Sequence, residues 1–143
     1  MFGRLKSAKK LWSANKLGGQ IGHLLASSLY FARDANGKLD PRMQNDEFVL
    51  SYIWGVIALS VEANGVNDQE ESGYVIRQVF EHLFPGSGRV VAELCVLRAS
   101  QKDKDFLQGM QLGVSEMDQV LNSGGEKIFK GLLDHVLANY GSD

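Results

Sequence analysis

The chain has 143 residues, of which 44% are apolar, so it can bury one core and is too apolar for an intrinsically disordered protein. Its formal net charge of −2 excludes a uniformly basic nucleic-acid-binding protein. The chain contains only two prolines, at positions 41 and 85, which disfavours a β-sandwich with many turns.

The first predicted element is a basic amphipathic helix. Residues 1–33 hold six basic and no acidic residues, whereas the remainder holds nine basic and 17 acidic ones. Leu5, Ala8 and Trp12 recur at helical spacing among the lysines, which is typical of a helix with one apolar side. This segment is therefore the clearest compositional anomaly of the chain.

Two adjacent glycines are expected to end this helix. Gly18 and Gly19 weaken helical structure, so the sequence predicts a basic N-terminal helix over residues 1–17 and a single helical domain over residues 18–143. That domain would begin with a second helix over about 20–34.

The centre of the fold is expected to be a helix over about 41–63. Asp40 and Pro41 are typical of a helix start, and the segment becomes apolar around its whole circumference after two turns. Its charge-free run, 48–61, is shorter than the roughly 20 residues that cross a bilayer. We therefore expect a buried core helix.

Further helices are predicted from apolar residues three and four positions apart. They run from Asp68 to Phe84, from Ser87 toward Gln101, from Phe106 to Leu121, and from Ser123, with Glu126 as a capping partner, to about Asn139. Together these elements predict an all-α single-domain bundle of six or seven helices around the central one.

Glycines one turn apart occur on two of the predicted helices. Gly109 and Gly113 indicate either a close helix crossing or a break in their helix. Gly18 and Gly22 would likewise allow another helix to approach closely, most commonly within the same molecule.

No catalytic signature is present, and the sequence predicts no catalytic residue and a non-enzymatic protein. The histidines at 23, 82 and 135 fall on different predicted helices and form no metal-binding pair. The lone Cys95 cannot form an internal disulfide, which favours a core position and a reducing, cytoplasmic location.

Two junctions repeat an acid-Ala-Asn-Gly pattern, Asp34-Ala35-Asn36-Gly37 and Glu62-Ala63-Asn64-Gly65, each followed by further acids. Oxygen-rich loops can hold calcium or another divalent cation. The candidate ligands at the second junction are Glu62, Asn64, Asp68 and Glu71. The alternative is that both junctions are helix ends with glycine stops and acidic caps, which need no metal or other cofactor.

The second junction, Glu62-Ala63-Asn64-Gly65-Val66-Asn67-Asp68-Gln69-Glu70, resembles the turn of the TerB-like tellurite-resistance group of all-helical bacterial proteins. The resemblance covers residues 34–71, with Asn-Gly where that group usually carries Asp-Gly. It implies a helical bundle with acidic residues available to a divalent cation, and it implies no enzyme chemistry.

The main functional hypothesis is a helical interaction or adaptor protein that uses its basic N-terminal helix as the contact element. The candidate contact residues are Arg4, Leu5, Lys6, Lys9, Lys10 and Trp12. A protein partner or a second copy of the chain would be the occupant. The alternatives are a TerB-like cation binder, a peripheral protein on an anionic membrane surface, and a helix that docks on its own acidic chain. Nucleic acid is disfavoured, because only one aromatic residue lies among the lysines.

Overall fold

The computed structural model describes residues 2–124 and 128–141, with side chains from residue 8 onward. These residues form six α-helices, two short 3₁₀ helices and no strand. The α-helices are α1 (Phe2–Ser28), α2 (Glu47–Ala63), α3 (Gln69–Leu83), α4 (Gly88–Gln101), α5 (Lys104–Asn122) and α6 (Lys130–Tyr140), and the 3₁₀ helices are Tyr30–Ala32 and Pro41–Asn45. The predicted all-α bundle is therefore confirmed.

Helix α2 lies at the centre of the core, as predicted. Val49, Leu50 and Tyr52 point to different sides of this helix, and each is completely buried. A helix that is apolar on all sides is stable in water only when other helices enclose it. Helices α5, α4, α3 and α6 all contact α2.

The predicted start of the central helix at Pro41 is wrong. Pro41–Asn45 is a separate 3₁₀ helix, and the extended backbone of Asp46 (φ −85°, ψ 116°) divides it from α2. Asp46 caps α2, because its Oδ1 accepts a hydrogen bond from the backbone N–H of Val49 at 3.1 Å. Asp40 caps the 3₁₀ helix in the same way. The sequence offers two aspartate caps six residues apart, and the second one starts the α-helix.

Helices α2 and α5 cross in direct backbone contact. A Cβ on Gly113 would collide with the carbonyl oxygen of Tyr52, and a Cβ on Gly55 would collide with that of Met110. Gly109 leaves the corresponding space on α5 for Ser51. The close crossing predicted from Gly109 and Gly113 is confirmed, and the alternative of a break in α5 is wrong.

Helices α1 and α3 form a second close pair and run in the same direction. Lys10 contacts Asp68 just before α3, and further along α1 a Cβ on Gly22 would lie 2.7 Å from the Cβ of His82. The predicted interruption at Gly18 and Gly19 is wrong, because α1 continues through both residues. Packing against α3 outweighs a cost of about 1 kcal/mol for each glycine in a helix.

The ends of the other helices correct two further predictions. The helix expected over 20–34 ends at Ser28, and Gly37 (φ +76°) lies in a later turn. Ser123 is the C-terminal cap of α5, while α6 begins only at Lys130, and the predicted capping partner Glu126 lies outside the described residues. Helices α3 and α4 pack side by side, joined by the short turn that follows α3.

Candidate functional site

The basic helix presents an exposed face made of Lys9, Trp12 and Lys16, which we call the Trp12 face. These residues are three and four positions apart, so they lie on one side of α1. Trp12 is 66% exposed, and the Lys16 ammonium lies 5.3 Å from the centre of its ring. Leu11 beside them is also exposed. This surface therefore combines an uncovered aromatic ring with two cations.

The predicted contact residues divide into three groups. Lys9 and Trp12 are exposed, whereas Lys10 is turned toward the body of the protein. The side chains of the remaining three predicted contacts, Arg4, Leu5 and Lys6, lie outside the described part of the chain.

Lys10, one of the predicted contact residues of the basic helix, contacts Asp68, one of the predicted metal ligands. Its ammonium donates a hydrogen bond to Oδ2 of Asp68 at 2.5 Å, while Oδ1 of Asp68 accepts the backbone N–H groups of Glu70 and Glu71. The hydrogen bond from Lys10 lowers the pKa of Asp68. The hydrogen bond and charge of Asp68, together with the charges of Glu70 and Glu71, raise the pKa of Lys10. Asp68 thus caps α3 and also anchors α1.

The other predicted metal ligands are not gathered around Asp68. The Asn64 side-chain amide donates to the backbone oxygen of Ser60 at 2.7 Å, and Glu62 is exposed at the end of α2. Glu71 lies in the first turn of α3. Among the described residues there is no group of three or more histidine, cysteine, aspartate or glutamate side chains that could hold a metal ion. The glycine stop is present as predicted, since Gly65 has a φ of +70°.

A second polar cluster joins the end of α6 to the start of α2, and the sequence did not reveal it. Oδ2 of Asp46 accepts hydrogen bonds from Nε2 of His135 at 2.9 Å and from the hydroxyl of Tyr140 at 2.6 Å. Phe48 stacks on the His135 ring at 4.3 Å. Burial raises the pKa of Asp46, but the hydrogen bonds from His135, Tyr140 and the backbone of Val49 outweigh it, so the pKa is lowered. The predicted capping pattern of α6 gave no sign of this contact.

A third cluster links α2, α5 and α6 inside the bundle. The hydroxyl of the buried Tyr52 donates to Glu116, whose carboxylate also accepts the backbone N–H of Gly131 at 2.8 Å. Burial, followed by the hydrogen bond to Glu116, raises the pKa of Tyr52. Every polar partner in this cluster is satisfied, which is the arrangement of a structural network.

These clusters hold helices together, and the single cysteine of the chain lies outside them. Cys95 is fully buried in the core, as predicted, and burial raises the pKa of its thiol to about 12. Its Sγ lies 3.5 Å from the backbone oxygen of Leu50. The thiol is therefore protonated at neutral pH and inaccessible to a substrate.

The comparisons with known proteins add no functional information. No family model, no curated protein and no solved structure matches the chain at a significant level. In the described part of the chain, no helix is long and apolar enough to cross a membrane.

Proposed function

We propose that the protein is a helical interaction module, and that the Trp12 face of α1 binds an acidic surface of a protein partner. The observation that carries this proposal is the 66% exposure of Trp12 between two exposed lysines. Tryptophan is among the residues that contribute most binding energy in protein interfaces, because its large ring is desolvated on contact. Lysines around such an anchor favour a partner of opposite charge.

The contact of α1 with the rest of the molecule supports the same proposal. Gly18 and Gly22 pack α1 closely on α3, and Lys10 ties it to Asp68. The Trp12 face is therefore held in one orientation before a partner arrives, which lowers the entropic cost of binding.

A protein partner is favoured over an anionic membrane by the small apolar area of this face. A helix that lies in a membrane interface buries a continuous apolar side. Among the described side chains of α1, Leu11 and Trp12 are the exposed large apolar ones, and the neighbouring Ala8, Ser13 and Asn15 add little apolar surface.

The decisive experiment compares partner capture by the full chain and by variants of the Trp12 face. Proteins from a lysate of the source cells are captured at low salt on wild type, on Trp12→Ala and on Lys9→Glu/Lys16→Glu. We expect wild type to enrich a specific protein with an acidic surface, and both variants to lose it. Because electrostatic attraction is screened by salt, the enriched protein should also dissociate when the salt concentration is raised.

Two control variants distinguish binding at the Trp12 face from non-specific binding to other exposed aromatic or basic residues. Phe31→Ala removes another strongly exposed aromatic ring, and Lys104→Glu reverses another exposed lysine. Both should capture the partner as wild type does. Equal capture by the Trp12-face variants would contradict the proposal, as would Trp12-dependent sedimentation with vesicles of phosphatidylcholine and phosphatidylserine at about 3:1 in the absence of a protein partner.

A further inference from the structure

A cleft on another part of the surface carries a separate inference. It lies between the end of α1, the loop after the first 3₁₀ helix, the second 3₁₀ helix and the end of α3, and its volume is about 610 Å³. Pockets that bind small molecules commonly have volumes of about 300–1,000 Å³. The cleft is thus large enough for an organic ligand.

The floor of the cleft is apolar and comes from three parts of the chain. Ala26 of α1, Leu39 of the loop, and Leu83 and Phe84 at the end of α3 line it, and each is more than 90% buried. Such a surface favours the apolar body of a ligand, because the apolar part of the ligand leaves water when it enters the cleft.

The polar lining is basic. Arg33, Lys38 and His82 line the cleft, and neither Arg33 nor Lys38 has an ion pair or a side-chain hydrogen bond with any other described residue. Among the described lining residues Asp34 is the only acid. Two cations without an ion-pair partner among the described residues, beside an apolar floor, favour an anionic group on the ligand.

The loop that carries both cations has a fixed shape. Oδ1 of Asp34 accepts the backbone N–H of Asn36 at 2.8 Å and that of Lys38 at 2.9 Å, and Gly37 supplies the left-handed residue of this turn. The Asp34 carboxylate is therefore used inside the loop, and Arg33 and Lys38 flank it.

We infer that this cleft binds a small organic anion with an apolar body, such as an aromatic carboxylate, sulfonate or phosphate ester. Leu39, Leu83 and Phe84 would contact the apolar body, and Arg33 with Lys38 would hold the anionic group. This site is separate from the Trp12 face and does not depend on the proposed function.

The test uses 1-anilinonaphthalene-8-sulfonate, which has an aromatic body and one anionic group and fluoresces when it leaves water. We expect it to bind wild type, with affinity weakened roughly 3- to 10-fold in each of Arg33→Gln and Lys38→Gln. The uncharged N-phenyl-1-naphthylamine, which lacks the sulfonate, should bind all three proteins equally. Lys104→Gln, which removes an exposed lysine elsewhere, and Trp12→Ala should bind the sulfonate as wild type does.

Amide chemical-shift mapping by NMR locates the probe. Shifts should concentrate in residues 33–39 and 82–84. The inference would be overturned by shifts confined to the exposed apolar residues of α4, Val90 and Leu97, or by unchanged sulfonate affinity in both cleft variants. It would also be overturned if inorganic phosphate caused the same shifts at the same concentration, because such a site would not use the apolar floor.

Discussion

The pair α2/α5 and the pair α1/α3 use the same device with different consequences. In both, glycines let two helices approach more closely than other residues allow. In α2/α5, Gly55 and Gly113 face backbone carbonyls at the centre of the core. In α1/α3 the nearest neighbours are side chains, since Gly18 lies against Gln78 and Gly22 against the exposed His82. The first pair fixes the spacing of two helices at the centre of the core. The second fixes the position of α1, which adds Ile21 and Leu25 to the core and carries the Trp12 face.

The largest expected effect follows from adding a methyl group at the centre of α2/α5. In Gly113→Ala the new Cβ collides with the Tyr52 carbonyl oxygen, a backbone atom that cannot rotate away as a flexible side chain can. Even after the gain in helix propensity, we expect a loss of about 3 kcal/mol in the free energy of unfolding, measured by urea denaturation.

Gly73→Ala is the matched control for this prediction. Gly73 is also helical, but a Cβ there has no neighbour within 4 Å. It should stabilise the protein by about 0.5–1 kcal/mol. A small effect of Gly113→Ala, similar to that of Gly73→Ala, would show that the α2/α5 crossing is not fixed as described.

The second prediction concerns the partly buried hydrogen bond from the buried Tyr52 to Glu116, which links α2 to α5. Tyr52→Phe removes the hydroxyl that donates to Glu116 and leaves that carboxylate with one partner fewer. We expect a loss of about 1–3 kcal/mol in the free energy of unfolding. Tyr74→Phe removes a similar tyrosine–glutamate bond on α3, but at the surface, and should have a much smaller effect. If Tyr52→Phe and Tyr74→Phe lowered the free energy of unfolding equally, the proposed difference between hydrogen bonds in the core and at the edge would be contradicted.

Local sequence signals predicted the main helices and several of their ends. The apolar circumference of 48–61 located the central helix, Asp68 capped α3, and Gly109 with Gly113 marked the crossing. These features succeed because each depends on residues within one or two turns. The predicted apolar side of the N-terminal helix is wrong, because Ala8 and Trp12 are exposed and Trp12 shares its face with lysines.

Contacts between residues far apart in the sequence could not be predicted from such local patterns. Continuous helix through Gly18 and Gly19 depends on α3, some 50 residues further along the chain, because the packing energy there exceeds the local glycine penalty. The bonds of Asp46 to His135 and Tyr140 join positions about 90 residues apart, and no spacing rule relates them. The cleft likewise exists only where three separated segments meet.

The third prediction tests whether the edge pair is more adaptable than the core pair. Gly22→Ala places a Cβ 2.7 Å from the Cβ of His82, so α1 must move outward slightly. Because α1 lies at the edge of the bundle, we expect a loss of about 1 kcal/mol in the free energy of unfolding. Gly19→Ala, where a Cβ has no close neighbour, should instead stabilise by about 0.5–1 kcal/mol. A loss at Gly22 as large as that at Gly113 would contradict the proposed difference.

The smallest effects are expected at the two aspartates that cap these pairs, Asp46 on α2 and Asp68 on α3. Both have a pKa lowered below the ordinary 3.8, so each contributes stability at pH values above 3.8 that is lost as the pH falls through the folded-state pKa. The melting temperature of wild type, measured from neutral pH to strong acid, should therefore decrease once the pH is below about 4. The decrease should be less steep in Asp46→Asn and in Asp68→Asn.

Salt should distinguish the two caps. The Asp46 side chain is 12% exposed and lies among His135 and Tyr140, whereas Asp68 is 33% exposed and paired with the surface residue Lys10. At about 1 M salt the screening length is near 3 Å, so the Coulombic part of the Lys10–Asp68 contact should be weakened, while the hydrogen bonds from the backbone N–H groups of Glu70 and Glu71 to Asp68 persist. The effect of Asp68→Asn on the acid dependence should therefore become smaller in high salt, and the effect of Asp46→Asn should change less. If salt reduced the effect of Asp46→Asn more than that of Asp68→Asn, the contact between Asp68 and Lys10 would be the better shielded from solvent. Helix α1 would then be held more firmly than its place at the edge of the bundle implies.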